Sequence, residues 1–231
     1  MHVTPPPPHV TRPVVEPVWW QVFGPGFAAL IGLFMLTVVY RFDGVSALQI
    51  ALGLSGQSVL MIVLVPYLVA AALTVPVGLL LGARFPTAVT IPATGFLFLG
   101  VLLAAFTPGS GLLLIGRALS GLGTGAAAGA AAALIQKLRR RRGLVAGVAA
   151  ALGVLALLLA PVIGQLISEA LGFRVIHLAA IPFLLVALIV STVLGLVKLT
   201  AAKRQVLPHG VPYPPAGFTG GEHESTLELG R

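Results

Sequence analysis

Six long apolar stretches limit the fold of this chain more than any other feature. They lie near residues 18–40, 59–81, 87–107, 111–136, 143–168 and 174–199. A helix needs roughly 20 consecutive apolar residues to cross a bilayer. Only 9% of the residues are charged, whereas soluble domains carry about a quarter. We therefore predict an integral membrane protein rather than a soluble helical domain with a large core.

Backbone hydrogen bonding selects the kind of membrane fold. The sequence lacks the alternation of apolar and polar residues that marks a membrane β-barrel. Helices satisfy their own backbone polar groups in lipid. The predicted fold is therefore all-α, with a six-helix membrane domain at residues 18–200. Proline-rich tails at 1–17 and 201–231 flank it; we expect them to be mobile, with docking onto a partner as the alternative.

The basic residues predict the orientation of the chain in its membrane. The sequence holds fourteen Lys and Arg residues, and all but Arg41, Arg117 and Arg174 fall on the side of the predicted tails. Basic residues accumulate on the cytoplasmic side of membrane proteins. We therefore expect a multi-pass protein of the plasma membrane with both termini in the cytoplasm.

Arg117 lies inside the fourth apolar stretch and is followed by regularly spaced glycines. Gly121, Gly125 and Gly129 recur every four residues, which places them and Arg117 along one helix face. Small residues let helices approach closely in lipid, so this pattern predicts a close-packed seam with an arginine at its outer end. A charge at membrane depth is costly and almost always faces protein or water, which makes Arg117 a candidate functional residue.

Arg117 needs a counter-charge or carbonyl partners. Asp43 is the better acidic candidate, and a pair between the two would offer a site for proton coupling, with Arg41 beside it. Two interpretations stay open. The first helix continues to about Leu52 and carries Arg41 and Asp43 into the outer half of the membrane, or both lie in a wet outer loop. His177, near the outer end of the sixth stretch, is expected to be an interfacial residue rather than a proton relay.

The fifth stretch contains the segment APVIGQ, residues 160–165. Pro161 removes a backbone hydrogen bond and is predicted to kink the helix. With Gly164 beside it, the bend suits either a moving interface between helices or static packing. Gln165 is a polar group in lipid that should seek a partner on another helix.

A basic cluster separates the fourth and fifth stretches. It is interpreted as a determinant of topology that also contacts anionic lipid head groups, and it comprises Lys137, Arg139, Arg140, Arg141 and Arg142. Nucleic-acid binding is not expected, because the cluster is short and has no interleaved aromatic residues. The chain has no cysteine and its five histidines are scattered, so no metal site or cofactor is predicted. No nucleophile–base pair or phosphate-binding loop suggests an enzyme.

Four segments resemble motifs of the major facilitator superfamily. RALSGLGTG resembles its fourth-helix arginine–glycine motif, and APVIGQ its fifth-helix antiporter motif. LGFRVIHLAAIP resembles the segment that enters its sixth helix, and FMLTVVYRFDGVSALQIALGLSG its first helix and outer loop. They occupy residues 117–125, 160–165, 171–182 and 34–56. The resemblance implies the N-terminal six-helix half of a transporter similar to the drug/proton antiporters.

Two departures from the family pattern are visible. Gly82 stands where the family usually has an aspartate, and only Arg84 remains of the basic residues that follow it. The family motif at this loop is implicated in gating. The chain also supplies one bundle, whereas such transporters rock two bundles around a central site.

These observations favour two hypotheses. The first is a half-size secondary transporter, acting as a homodimer or with a partner membrane protein, that exchanges a small amphipathic solute for protons. Arg117, Asp43 and Arg41 would serve coupling in this case, and the glycine seam with the bend at Pro161 would serve helix packing and gating. The second is a non-catalytic membrane subunit, derived from a transporter, that stabilises a larger complex.

Overall fold

The helices of the computed structural model follow the apolar stretches. The structure describes residues 19–40, 46–138 and 140–206. Their order is a 3₁₀ turn (Trp19–Val22), α1 (Phe23–Thr37), α2 (Ala47–Leu52), α3 (Gly56–Arg84), α4 (Pro86–Ala105), α5 (Ser110–Lys137), α6 (Arg142–Leu171) and α7 (Phe173–Val206). Over these ranges the only extended pairing is an isolated bridge between Tyr40 and Ser46, so the all-α prediction is confirmed for the described part of the chain.

Five of these helices are long and apolar enough to cross a membrane. They are α3, α4, α5, α6 and the part of α7 from Phe173 to Val193. The helix α1 has 15 residues, which is short of the roughly 20 that a bilayer requires. The predicted count of six spans is therefore not confirmed: the structure has five such helices and a shorter one where the first span was predicted.

The chain between α1 and α3 corrects one of the two interpretations of the first span. The helix α1 ends at Thr37, and α2 begins afresh at Ala47. Ser46 caps α2, because its Oγ accepts from the Leu48 amide at 3.1 Å and its own amide donates to Gln49 Oε1 at 2.8 Å. A single helix running to Leu52 is therefore wrong. Arg41 and Asp43 lie outside the described residues.

Proline and glycine set the breaks between consecutive helices. Phe85 alone separates α3 from α4, and Pro86 starts the new helix, where its missing N–H is harmless. Gly172 separates α6 from α7 with a φ of 83°, a left-handed conformation that glycine adopts without strain. Each break is a single residue, so the helices on either side follow one another directly in sequence.

The chain divides into two compact units, Met1–Gly195 and Leu196–Arg231. The first unit holds all the contacts described below. Of the second, the described residues are 196–206, the helical end of α7.

The helix α5 lies at the centre of the first unit. It packs against α3, α4 and α1, and α1 packs in turn against α6. The main apolar core joins α1, α3, α4, α5 and α7, and includes Met35, Val63, Leu97, Leu113 and Ile176. This arrangement surrounds α5 with other helices and leaves large apolar side chains of α3 and α6 on the outside.

Candidate functional site

Arg117 lies on α5, one turn before the first glycine of the seam, and its side chain is directed into the bundle. Only 2% of its surface is exposed. Its Nη1 donates a hydrogen bond to the backbone oxygen of Met35 on α1 at 2.8 Å. Nε and Nη2 have no hydrogen-bond partner among the described residues. A buried charge thus ties α5 to α1 through one neutral carbonyl and keeps two free donors.

Three further side chains from different parts of the fold interact electrostatically with the Arg117 charge. They are Tyr40, just after α1, Tyr67 on α3, and His177 on α7. We call these four residues the buried polar cluster. Its members lie on α3, α5 and α7 and just after α1, so the cluster lies among these four helices.

Tyr67 is the most fully bonded member of the cluster. Its hydroxyl donates to the Gly32 carbonyl of α1 at 2.7 Å and lies 2.7 Å from Thr124 Oγ1 on α5. Because Tyr67 gives its one hydrogen to Gly32, the single Thr124 hydrogen is shared between the Tyr67 oxygen and the Ser120 carbonyl, which lies 2.8 Å away. Tyr67 therefore links three helices through hydrogen bonds shielded from lipid, which stabilises their mutual position.

His177 lies one turn into α7, and its exposed fraction is 1%. Its Nδ1 lies 3.2 Å from the Phe173 carbonyl, and the two rings meet edge to face at 5.8 Å. Nε2 has no hydrogen-bond partner among the described residues, and the same is true of the Tyr40 hydroxyl. The expectation of an interfacial histidine is therefore wrong, because tertiary packing buries the ring.

One basic and one acidic residue, Arg41 and Asp43, were predicted to join Arg117, and they follow Tyr40 in the sequence. Arg41 and Asp43 lie outside the described residues, and no contact of theirs is described. The residues on either side of that segment, Tyr40 and Ser46, are paired by the isolated bridge. Ser46 is also buried. Of the two described residues that border this segment, Tyr40 belongs to the buried polar cluster and Ser46 is its bridge partner.

The glycines after Arg117 face α3 at backbone distance. A methyl group added at Gly121 would overlap the backbone of Tyr67, one at Gly125 that of Ala71, and one at Gly129 that of Val75. The three partners on α3 repeat every four residues, as the glycines do. We call this contact the glycine seam. Two glycines of α3 face α5 in the same way. A Cβ at Gly78 would overlap the Ala126 carbonyl, and one at Gly82 would lie 2.6 Å from Ala130 Cα.

The segment around Pro161 is helical throughout, since α6 runs from Arg142 to Leu171 without interruption. Pro161 cannot donate to the carbonyl of Leu157, four residues earlier. Thr37 of α1 fills this gap, because its hydroxyl donates to that carbonyl at 3.3 Å. Gly164 lets α6 approach the Val38 carbonyl. Gln165 donates to Glu169 of its own helix at 3.1 Å rather than to another helix.

The residues of the basic cluster differ in their contacts. Lys137 Nζ donates to the Ala83 carbonyl, so it joins the end of α5 to the end of α3. Arg140, Arg141 and Arg142 are exposed, and Arg139 lies outside the described residues. Lysine near a helix C-terminus interacts favourably with its unpaired carbonyls, which accounts for the position of Lys137.

An apolar cavity of about 380 Å³ lies between α1, α6 and α7. We call it the apolar cavity; its walls include Phe34, Met35, Ile163, Ile176 and Ala180. Two of these residues also adjoin the buried polar cluster: Met35 supplies the carbonyl that Arg117 binds, and Ile176 precedes His177. A volume of this size suits a small organic ligand. Within the described residues, no three His, Asp or Glu side chains are grouped to hold a metal ion.

Sequence reasoning missed three members of this arrangement. Tyr67 and Thr37 are single polar groups in apolar helices, and such groups usually bond across helices; that signal was present but did not identify a partner. Thr124 lies within the glycine pattern itself. The sequence did not indicate the apolar cavity, because the residues that line it are apolar like those on the outside of the bundle.

Comparison with known proteins adds one positive result. The family model of the Major Facilitator Superfamily matches residues 22–220. No curated protein sequence matches the chain. The family match and the five apolar helices together identify a multi-pass membrane protein.

Proposed function

We propose, because the chain belongs to the major facilitator superfamily, that it is a secondary transporter exchanging a small amphipathic solute for protons. Members of this family are transporters rather than enzymes. The observation that carries the proposal is Arg117, a buried guanidinium with two free donors at the junction of α1, α3, α5 and α7. An ionisable group inside a membrane bundle marks a solute or proton pathway by default.

The proposal assigns coupling to Arg117 together with Asp43 and Arg41. The cost of burying Arg117 is met by one carbonyl among the described residues, so a carboxylate would stabilise it further. Asp43 follows Tyr40 by three residues in the chain, and Tyr40 interacts with the Arg117 charge. Protonation of Asp43 would release Arg117, so the pair is a switch that a proton can operate.

Alternating access needs a second bundle facing this one. We propose that a second copy or a partner membrane protein provides it. Large apolar side chains of α3 and α6 are available for this contact or for lipid: Leu73 is 68% exposed, Leu80 74%, Leu144 69% and Leu158 66%. The glycine seam and the bend that the sequence predicts at Pro161 would let the bundle move as a unit with α6 at its edge.

We further propose the plasma membrane as the location, with the tails in the cytoplasm. The α3–α4 break carries Arg84, and the α5–α6 loop carries the basic cluster, so both lie on one side. The exposed Arg140, Arg141 and Arg142 would contact anionic head groups there.

Transport in proteoliposomes tests the proposal. The probe is 4-phenylbutyltrimethylammonium, whose permanent charge prevents passive leakage, and entrapped pyranine reports protons. A probe gradient should drive protons in the opposite direction. Arg117→Gln should abolish this movement while circular dichroism and gel filtration stay unchanged. Arg174→Gln removes an exposed arginine near the start of α7 and should transport normally. Equal coupled flux in Arg117→Gln and wild type would reject the assignment.

The non-catalytic subunit is the second candidate function, and the α3–α5 contact favours it. Gly82, where the family usually has an aspartate, is buried against Ala130, so a larger side chain does not fit without moving α5. Purification in mild detergent separates the two functions. Copies of this chain alone support transport, whereas stable association with enzyme subunits supports the structural role.

A further inference from the structure

His177 combines deep burial with a fixed orientation. Its Nδ1 lies 3.2 Å from the Phe173 carbonyl. A carbonyl oxygen can only accept, so Nδ1 carries the hydrogen in this bond. In the neutral ring the second nitrogen, Nε2, is then left with a lone pair. The backbone of α7 thereby holds the imidazole with its basic nitrogen on the opposite side from Phe173.

The basic nitrogen belongs to the buried polar cluster. Nε2 has no hydrogen-bond partner among the described residues, and neither do the Tyr40 hydroxyl and two nitrogens of Arg117. His177 lies within electrostatic reach of the Arg117 charge. The cluster therefore contains unpaired donors, together with acceptors at His177 Nε2 and the Tyr40 hydroxyl, among buried residues.

We propose that His177 Nε2 takes up and releases the exchanged proton in series with the Arg117–Asp43 pair, so that both are needed for coupling. This inference rests on the proposed function. A proton passes from water on one side of the membrane to Nε2, forming an N–H bond, and that bond breaks when the proton leaves to water on the other side. The Phe173 carbonyl acts as the positioning group for this step.

The charges around His177 explain why the proton and the solute would cross the membrane in opposite directions rather than together. Arg117 on α5 is the charged group that acts on His177, and Tyr40 and Tyr67 act in turn on Arg117, whereas α4 carries no titratable residue. On α6, Glu169 accepts a hydrogen bond from Gln165; on α7, Arg174 is exposed. Arg41 and Asp43 lie outside the described residues. A proton on His177 adds positive charge beside Arg117, which repels a cationic solute.

The apolar cavity places the solute near this charge. Ile176 and Ala180 line it and lie on either side of His177 in α7. Met35 lines the cavity as well and supplies the carbonyl bound by Arg117. A solute body in the cavity thus contacts the residues that hold the cluster, so its charge and the proton would occupy the site in turn.

Transport by His177→Gln tests the inference. Glutamine keeps a donor for the Phe173 carbonyl but takes up no proton. Proton movement driven by 4-phenylbutyltrimethylammonium should fall to that of protein-free liposomes, while exchange of labelled for unlabelled probe continues. His209→Gln, in the predicted tail, is the control and should behave as wild type. Wild-type coupling in His177→Gln would overturn the inference but leave the proposed function intact. Absence of any probe movement in wild type would reject the function itself.

A spectroscopic measurement tests, without transport, whether His177 Nε2 is free to accept a proton. The protein is labelled with ¹⁵N-histidine, and the signals missing from His177→Gln identify this residue among the five histidines. At neutral pH the expected signals are a protonated Nδ1 and a bare Nε2, which is the less common form of free histidine. A hydrogen on Nε2 with a bare Nδ1 would overturn the inference.

Discussion

The two sides of the bundle are joined in opposite ways. At the glycine seam, the backbone of α5 lies against the backbone of α3. In the apolar spanning segment of α5, 67% of the residues are buried. Around the apolar cavity, α6 approaches the α1 backbone closely at Gly164 but is otherwise more open, and only 11% of the residues in its apolar spanning segment are buried. The difference indicates a rigid half, made of α3, α4 and α5, and an adaptable half, made of α1, α6 and α7.

The buried polar cluster lies where these two halves meet. Arg117 and Tyr67 come from the rigid half, whereas His177 and the Met35 carbonyl come from the adaptable half. A relative movement of the halves would therefore change the contacts of Arg117 first. Close-packed elements transmit movement as units, which is the behaviour that alternating access requires.

The largest predicted effect is a break in the glycine seam. In Gly125→Val, the new side chain would overlap the backbone of Ala71 and the hydroxyl of Thr74, which already donates to the Leu122 carbonyl at 3.0 Å. Backbone atoms cannot move aside as a side chain can, so we expect a loss of about 3 kcal/mol or more in the free energy of unfolding. Thermal unfolding in detergent measures it.

Gly147→Val is the matched control for this change. Gly147 lies on α6, and a methyl group there would meet nothing within 4 Å. The substitution introduces the same β-branched residue into a helix, so any general effect on helix formation is shared. A melting temperature lowered equally in both variants would show that the close approach of α3 and α5 contributes nothing.

The second prediction concerns the hydrogen bonds that span the rigid half and α1. Tyr67→Phe removes a hydroxyl bonded to Gly32 and Thr124, and leaves the Gly32 carbonyl without this donor. We expect the free energy of unfolding to fall by about 1–2 kcal/mol. Tyr40→Phe is the comparison, because the Tyr40 hydroxyl has no hydrogen-bond partner among the described residues. If Tyr40→Phe were the more destabilising of the two, the assigned bonds of Tyr67 would be incorrect.

The rigid half could be predicted from the sequence to a greater extent than the adaptable half. A four-residue glycine repeat specifies both a helix face and a close contact, and Gly78 and Gly82 of α3 repeat at the same interval. Of the buried polar cluster, Arg117 alone was predicted as a functional residue, because its charge needs partners; the identity of those partners depends on which helices become neighbours. His177 and Thr37 acquire their roles from α6 and α7 docking onto α1, and nothing local in their sequence encodes that docking.

The third prediction tests the support that Thr37 gives to α6. Thr37→Val removes the donor to the Leu157 carbonyl, which Pro161 leaves without its helical partner. We expect a loss of about 1 kcal/mol in the free energy of unfolding. Thr192→Val is the control, because Thr192 is exposed and donates only to Leu188 of its own helix. In a Pro161→Ala background, Thr37→Val should no longer be destabilising, since alanine supplies an N–H for the Leu157 carbonyl. If Thr37→Val still lowered the free energy of unfolding in that background, the role of Thr37 would not depend on Pro161.

The smallest effect on stability is expected when the apolar cavity is filled. Ala156→Leu adds three methyl or methylene carbons to a wall of this 380 Å³ space, where they need not displace backbone. The free energy of unfolding should change by less than about 1 kcal/mol, and the added apolar contact favours a small gain. Transport of 4-phenylbutyltrimethylammonium should nevertheless weaken, because the leucine occupies the volume assigned to the solute. A fall in stability as large as that of Gly125→Val would mean that α6 packs on α1 as rigidly as α5 packs on α3, and the contrast between the two halves would not hold.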